Sequence, residues 1–277
     1  MEKINLKVAA KINLNLKIDG VYEDGYHKLD TCLSSIDIFD EIEISRRRDN
    51  LINCFLDKKK TDLKNTAYIA AKKIQDAYNI CGIDIYIKKN IPFCAGIGGS
   101  SAAAAGVIYG LNRIFNLEPE LRNLEKIALS VGSDVPYMLY GGLMRVKGRG
   151  EILENTDACL FSKILILKGS QGVSTKEVYT TFDKLEKKDD KVFEFLNFKL
   201  FNNLQLSAIS ICPNISENLK MLEKAGAKVY LMTGSGSAGY GIFESDEKLE
   251  KAYRDLKDKV DYIKIATLID KGILEVI

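Results

Sequence analysis

The chain is poor in the residues that usually carry chemistry. It has a single histidine, His27, and no C-x-x-C pair among its six cysteines. Cys32, Cys54, Cys81, Cys94, Cys159 and Cys212 are scattered. That excludes the common zinc frameworks and reads as reduced thiols in a cytosolic protein. Only four prolines occur and there is no low-complexity tract, which argues against disordered tails. No apolar run approaches the ~18 residues of a membrane span. The opening "MEKINLKVAAKINLNLKIDG" lacks the apolar block of a signal peptide. A near-balance of 40 basic and 38 acidic residues gives no general attraction for nucleic acid or a membrane surface. Any anion must therefore be held locally. The expectation is a cytoplasmic protein of 277 residues, built as one large or two ordinary domains.

The periodicities that are present give the architecture. Every even position from Ile4 to Ile18 is apolar, which predicts a strand. The run exceeds a normal strand length, so a bend or break is expected near Ala9–Ala10. Lys11, Asn13 and Asn15 then share a face. Further strands are expected at Ile36–Ile44, Ile83–Ile87, "GGLMRVKG" and "KILILK". Helical spacing of Ala67, Ala70, Ala71, Ile74 and Ala77 follows the cap candidates Thr61, Asp62 and Asn65. Helices are also expected at about Pro119–Leu129 and at Asp246–Leu256, and the charged run "DKLEKKDDK" reads as a solvated helix or loop. Strands and helices mix without regular alternation, so the fold class is α+β. Two domains are expected, 1–158 and 159–277.

The most informative stretch is "IPFCAGIGGSSAAAAGVIYGLNRIFNL", glycines and serines between a strand pattern and a helix pattern. The first amides of a helix lack internal partners and the dipole adds positive charge there, so such an end holds an anion without a basic side chain. Gly96, Gly98 and Gly99 let backbone approach a ligand, and Ser100 and Ser101 add hydroxyls. A plain corner before a packed helix would look similar. Walker A is excluded, since no lysine stands in or near the loop in sequence. The dinucleotide fingerprint is excluded by Ser101, where it needs a third glycine. A later G-x-G-x-x-G at Gly234, Gly236 and Gly239 leads into "YGIFE", a strand pattern and not a helix.

Three segments, "KINLNLKIDGVYEDGYHKLDT", "IPFCAGIGGSSAAAAG" and "LMTGSGSAGYGIF", together resemble the GHMP kinases. These are small-molecule kinases that hold ATP on a glycine–serine loop without a Walker lysine. The resemblance spans residues 4 to 244, and "DGYH" points to a branch acting on a cytidine-diphosphate alcohol of the non-mevalonate isoprenoid route. It implies an N-terminal ribosomal-protein-S5-domain-2-like domain and a ferredoxin-like C-terminal domain with the site between them. It also implies ATP and magnesium, transfer to the 2-hydroxyl of a methylerythritol moiety, and no nucleic-acid or membrane partner. A homodimer is left open.

Residue by residue, the resemblance makes Asp134 in "GSDVP" the base and positioning group, although Ser133 and Asp134 before Pro136 also suit a helix cap. It makes Lys11 the partner of Asp134, although a strand lysine is ordinarily a solvated face residue. An ammonium beside a carboxylate favours its ionised form and stabilises developing negative charge. The implied ATP positions are Asn65, which an N-cap explains equally well, together with Pro92, Ala95, Gly96 and Ile97. Gly98, Gly99, Ser100, Ser101 and Ala102 complete them, with Ser101 the one candidate hydroxyl for a metal. Implied substrate positions are Asn13, Tyr26 as a base-stacking ring and His27 as a reader of the base edge. Thr175, Gly234, Ser235 and Gly236 complete the substrate set. The chain departs from the pattern at Ser100, Ala102 and Ala103 in the loop, and at Asn203 and Gln205, where Asp and Glu are common. Those departures keep two alternatives in view: a relative acting on mevalonate, homoserine or a sugar, and a weakened nucleotide-binding homologue.

Overall fold

A computed structural model of the chain describes residues 1–61, 63–118, 120–156, 163–185, 191–195 and 198–276. The first part runs β1 (Lys3–Val21), β2 (His27–Arg46), β3 (Ile52–Leu56), β4 (Lys59–Lys60), α1 (Thr66–Tyr78) and β5 (Ile83–Lys88). It continues with α2 (Gly99–Phe115), α3 (Glu125–Val131), α4 (Val135–Tyr140), β6 (Leu143–Gly148) and β7 (Ile152–Asn155). The second part runs β8 (Lys163–Lys168), α5 (Thr175–Lys184), β9 (Phe193–Phe195), β10 (Phe198–Asn202), α6 (Gln205–Ile211) and α7 (Asn214–Lys224). It ends with β11 (Val229–Met232), β12 (Gly239–Ile242), α8 (Asp246–Leu256), β13 (Tyr262–Ile269) and β14 (Ile273–Val276). The expected α+β class holds. The helix expected from Pro119 begins as a 3-10 turn at Leu121–Leu124 before α3. Pro119, Asp62, Cys159, the boundary at 158 and much of "DKLEKKDDK" lie outside the described residues.

β1 is the spine. One of its edges pairs with β2, and the ladder slips between Ala9 and Ala10, where the sequence predicted a break. Its other edge is shared by several segments in turn. β14 takes Asn5 to Val8, and Gly272 O accepts from the Ala9 amide at 2.8 Å. Ile97 O accepts from the Lys11 amide at 3.0 Å. Thr233 Oγ1 accepts from the Asn13 amide at 2.9 Å, and β10 takes Asn15 and Leu16. Every buried amide must find an acceptor. Here the stretch between the two flanking strands finds its acceptors in glycine-rich loops, and the cleft opens at that gap.

α2 lies close on this sheet because its inner face is small. A Cβ at Gly106 would stand 2.5 Å from Val8 Cγ1, and one at Gly110 would stand 2.5 Å from Ile44 Cδ1. Any larger side chain would push the helix, and its N-terminus with it, away from the cleft. Ala102 to Ala105 are buried in the same contact.

In the second part the strand order is β13–β8–β12–β11, every neighbouring pair antiparallel. α5 to α7 lie between β8 and β11 in the chain, and α8 lies between β12 and β13. Two interleaved βαβ units of this kind make the expected ferredoxin-like arrangement. Strand alternation divides its faces. Leu165 and Leu167 pack with the helices, whereas Ile164 and Ile166 join the core of the first part. β13 then pairs with β2, and β14 with β1, so the C-terminal strands return to the first sheet.

Candidate active site

Lys11 is almost wholly buried at 3% exposure, which overturns the ordinary expectation for a strand lysine. Its ammonium donates to Asn13 Oδ1 at 2.5 Å and to Gly96 O at 3.1 Å, and stands 3.4 Å from Asp134 Oδ2. A buried charge needs such partners. Asp134 occupies the N-cap position of α4, yet its side chain makes no capping bond. Its carboxylate instead faces Lys11 and remains partly exposed. Asn13 donates onward to Thr31 Oγ1 at 2.8 Å, which fixes the orientation of its amide.

α2 begins beside this pair. Its N-cap is Gly98, with φ +78°, no side-chain cap bond and no acidic residue in the first turn. The amides of that turn are thus left for an external acceptor. Gly96 is needed for another reason: a Cβ there would meet Thr233 O at 2.5 Å and Gly236 N at 2.8 Å. The phosphate-type loop and the later glycine turn are in backbone contact, and the Ala238 amide donates to Ala95 O at 3.0 Å. "NNLQ" holds that later turn from behind. Asn202 Nδ2 donates to Met232 O and Gly234 O at 2.8 Å each, and Gln205 Oε1 accepts from the Met232 amide at 2.9 Å. At position 205 the neutral amide oxygen serves as the acceptor.

The expectation that no lysine attends the loop is corrected in space. Lys89 follows β5, and a Cβ on Gly99 would lie 3.0 Å from its ammonium. It is held by the buried Asp40, which also accepts the Asn90 and Ile91 amides at 2.8 and 2.9 Å. Ala102 and Ala103 point into the core, so the loop's hydroxyls come from Ser100 and Ser101.

The Lys11–Asp134 pair, the start of α2 and the later glycine turn line one cavity of roughly 1200 Å³. Lys11, Asn13, Tyr26, His27, Pro92, Ala95, Gly96, Ile97, Gly98, Gly99, Ser100, Ser101, Asp134, Thr175, Gly234, Ser235 and Gly236 all contribute to its wall. Two of the sequence-predicted positions stand outside it. Asn65 caps α1, accepting from the Ala67 amide at 2.9 Å. The Ala102 amide is spent inside the helix on Gly98 O at 2.8 Å. Thr175 and Ser235 hydroxyls bond at 2.9 Å and join α5 to the glycine turn.

On the same wall, Tyr26 is 56% exposed while His27 is 8% exposed. His27 Nε2 lies 2.7 Å from Asp183 Oδ1, and the Tyr179 ring sits 4.8 Å from the imidazole. Both partners come from α5 and were missed in the sequence, where nothing links them to "DGYH". Burial, with a smaller contribution from the Asp134 charge, pushes the Tyr179 phenol above its ordinary range, so it stays protonated. Among the described residues no group of three or more His, Cys, Asp or Glu gathers as a metal cage. No helix of the described residues is long and apolar enough to cross a membrane.

A two-lobed α+β fold with an uncapped glycine–serine helix start facing a Lys–Asp pair defines a GHMP-type small-molecule kinase. The family model for the GHMP kinases N terminal domain matches residues 65–142, and that for GHMP kinases C terminal matches residues 181–261. The chain is 36% identical to 4-diphosphocytidyl-2-C-methyl-D-erythritol kinase of Caldanaerobacter subterraneus, over 98% of this chain and 99% of that protein. It is 31% identical to the kinase of the same name from Bacillus subtilis, over 95% of this chain and 96% of that one. A crystal structure of 4-(cytidine 5'-diphospho)-2C-methyl-D-erythritol kinase superposes with TM-score 0.77 at 25% identity, covering 96% of this chain and 99% of that one. A homoserine kinase from Cytophaga hutchinsonii shares the fold, with TM-score 0.75 at 16% identity. The chain belongs to the 4-diphosphocytidyl-2-C-methyl-D-erythritol kinase family of GHMP kinases.

Proposed function

We propose that this protein transfers the γ-phosphoryl group of ATP to the 2-hydroxyl of 4-diphosphocytidyl-2-C-methyl-D-erythritol. The observation that carries the reading is one cavity joining three things: the open start of α2, the Lys11–Asp134 pair at 3.4 Å, and a wall that presents Tyr26 and the His27–Tyr179 ring pair. The free amides of Gly99 to Ser101, with the Lys89 ammonium beside them, suit a triphosphate. An aromatic platform for the base is worth ~1–3 kcal/mol by analogy with nucleic-acid stacking.

In this reading Asp134 accepts the hydroxyl proton and aims the oxygen. That oxygen bonds to the γ-phosphorus as the bond to the β-phosphate oxygen breaks, releasing ADP. Phosphoryl transfer is loose, so alignment and charge outweigh full deprotonation. Lys11 offsets negative charge that develops beside it. The donor set, one carboxylate at Asp134 and hydroxyls at Ser100 and Ser101, fits a hydrated magnesium carried on the nucleotide better than a protein cage. Such an ion neutralises phosphate charge when bound, and Ser101 with Asp134 would hold it.

The test is an ADP-release assay with ATP and magnesium on a panel of the diphosphocytidyl alcohol, mevalonate, homoserine and galactose. Turnover on the first alone is expected. Turnover on another member and not on the first overturns the reading, and tight ATP binding without turnover on any member identifies a weakened homologue.

A further inference from the structure

Asp183 has no part in the chemistry above, yet it meets the side chain of the only histidine in the sequence. It belongs to a stripe on α5. Thr175, Tyr179 and Asp183 recur at every fourth position, so they share one face of the helix, and all three line the cavity. Val178 and Phe182 meanwhile join the core of the second part. The stripe is tied at both ends. Thr175 bonds Ser235 of the glycine turn at 2.9 Å, and Asp183 Oδ1 lies 2.7 Å from His27 Nε2.

His27 opens β2 opposite Val21 of β1, and its ring is closely packed. The Tyr179 ring lies 4.8 Å away at a tilt of 39°, and Phe182 presents an edge at 6.2 Å. The two ring nitrogens are treated differently. Nε2 is taken by Asp183, whereas Nδ1 has no hydrogen-bond partner among the described residues. A polar atom so enclosed, on a residue of the cavity wall, is the part of the ring left for a ligand.

The carboxylate decides what that atom offers. A carboxylate only accepts, so Nε2 must carry a proton, and in the neutral ring Nδ1 is then bare and accepts. The same bond fixes the ring's rotation, since a half-turn would put carbons where both nitrogens stand. We propose that Asp183 is a positioning residue: it holds the His27 proton on Nε2, so that Nδ1 accepts from an exocyclic amine of the base. The inference rests on the functional reading above and deepens it, because it states how cytosine is told from uracil. Cytosine supplies the amine. Uracil sets an oxo group against Nδ1, acceptor against acceptor, and leaves a buried polar atom unpaired.

Calorimetry with cytidine diphosphate and uridine diphosphate tests this on the wild type and Asp183→Ala, beside nitrogen NMR at pH 8 on protein carrying isotope-labelled histidine. With one histidine in the chain the spectrum reports His27 alone. The Asp183 side chain is 52% exposed, so its removal should leave the fold intact. The wild type should prefer the cytidine ligand by at least about tenfold and show Nε2 protonated with Nδ1 bare. In Asp183→Ala the preference should shrink below about threefold, through weaker cytidine binding, and the form protonated on Nδ1 should appear. A wild type that binds both nucleotides equally, or carries a proton on Nδ1, overturns the proposal and leaves the kinase reading intact. Equal losses for both ligands in Asp183→Ala make the residue a mere support, which also overturns it. A preference lost with the tautomer unchanged makes Asp183 a direct contact to the base and overturns the positioning role. A wild type that binds neither nucleotide removes the cytidine reading and this inference together.

Discussion

Replacing Asp134 by Asn is the sharpest perturbation the site offers, because it removes a charge and almost no volume. The carboxylate lies 3.4 Å from a buried ammonium. At an effective dielectric constant of about 20, Coulomb's law sets an upper bound of roughly 5 kcal/mol on that contact. Asp134 is 36% exposed, and Lys11 keeps Asn13 Oδ1 and Gly96 O. Screening and these remaining partners bring the expected stability loss down to about 1–2 kcal/mol. For a chain of this size that is a fall of a few degrees in Tm, about 2–4 °C per kcal/mol. The loss in kcat should be of another order, about 10²–10⁴-fold, since the proposed proton acceptor is gone. Lys11→Met should also slow turnover, and the double variant should be about as slow as the slower single one, because the two residues act as a unit. The assays are steady-state ADP release and thermal unfolding on all four proteins. An Asp134→Asn enzyme within threefold of the wild-type kcat would refute the assignment. So would losses that multiply fully in the double variant.

Three further outcomes follow from the same geometry. Gly96→Ala combines a φ of +75° with a Cβ 2.5 Å from Thr233 O, so it should cost more than about 2 kcal/mol and abolish ATP binding; a urea midpoint and ATP affinity near wild type would contradict this. Among the described cysteines Cys94 is the exposed one and it lines the cavity, so mass spectrometry should find it alkylated first at pH 8 and protected by ATP; first labelling at Cys32 or Cys54 would be the opposite result. Burial holds the Cys32 thiol up at about 11 from an ordinary 9.0, and pushes the Tyr137 and Tyr240 phenols upward as well. Folding thus favours their neutral forms, and this contribution is intact below pH 9 and lost as the pH rises toward 11. The urea midpoint should fall between pH 8.5 and about 10.5, and a flat profile would count against the buried placement of these groups.

Local signals in the sequence were faithful where one segment decides the outcome. The period-two run gave β1 and its break, the cap residues gave α1, and the alanine-rich stretch gave α2, because each depends on side chains close in the chain. The Lys11–Asp134 pairing was reached through resemblance, since 123 positions separate the two and no periodicity links them. What stayed hidden needed three-dimensional packing. Lys89 reads as one more lysine after a strand until Asp40 and Gly99 are seen beside it. Tyr179 and Asp183 look like ordinary helix residues until α5 is laid against His27. Asn65 shows the converse, since the local cap reading accounts for its observed hydrogen bond and its absence from the cavity wall.

The same packing explains why a site this polar can be held still. Its charged and amide groups come from both parts of the chain, and a loose joint would let each find water in place of its partner. The joint is instead continuous backbone: β13 on β2, β14 on β1, and loop against loop where Ala238 meets Ala95. Fixed dipoles stabilise developing charge because no reorganisation is needed when the reaction occurs. Lys11 concentrates that logic. Its own amide is tied to Ile97, its ammonium to Gly96 and Asn13, and Asn13 to Thr233, so moving either glycine loop moves the cation. The α2 start and the later glycine turn are therefore set relative to Asp134 by one strand, and a change that slips β1 by a residue would disassemble all three at once.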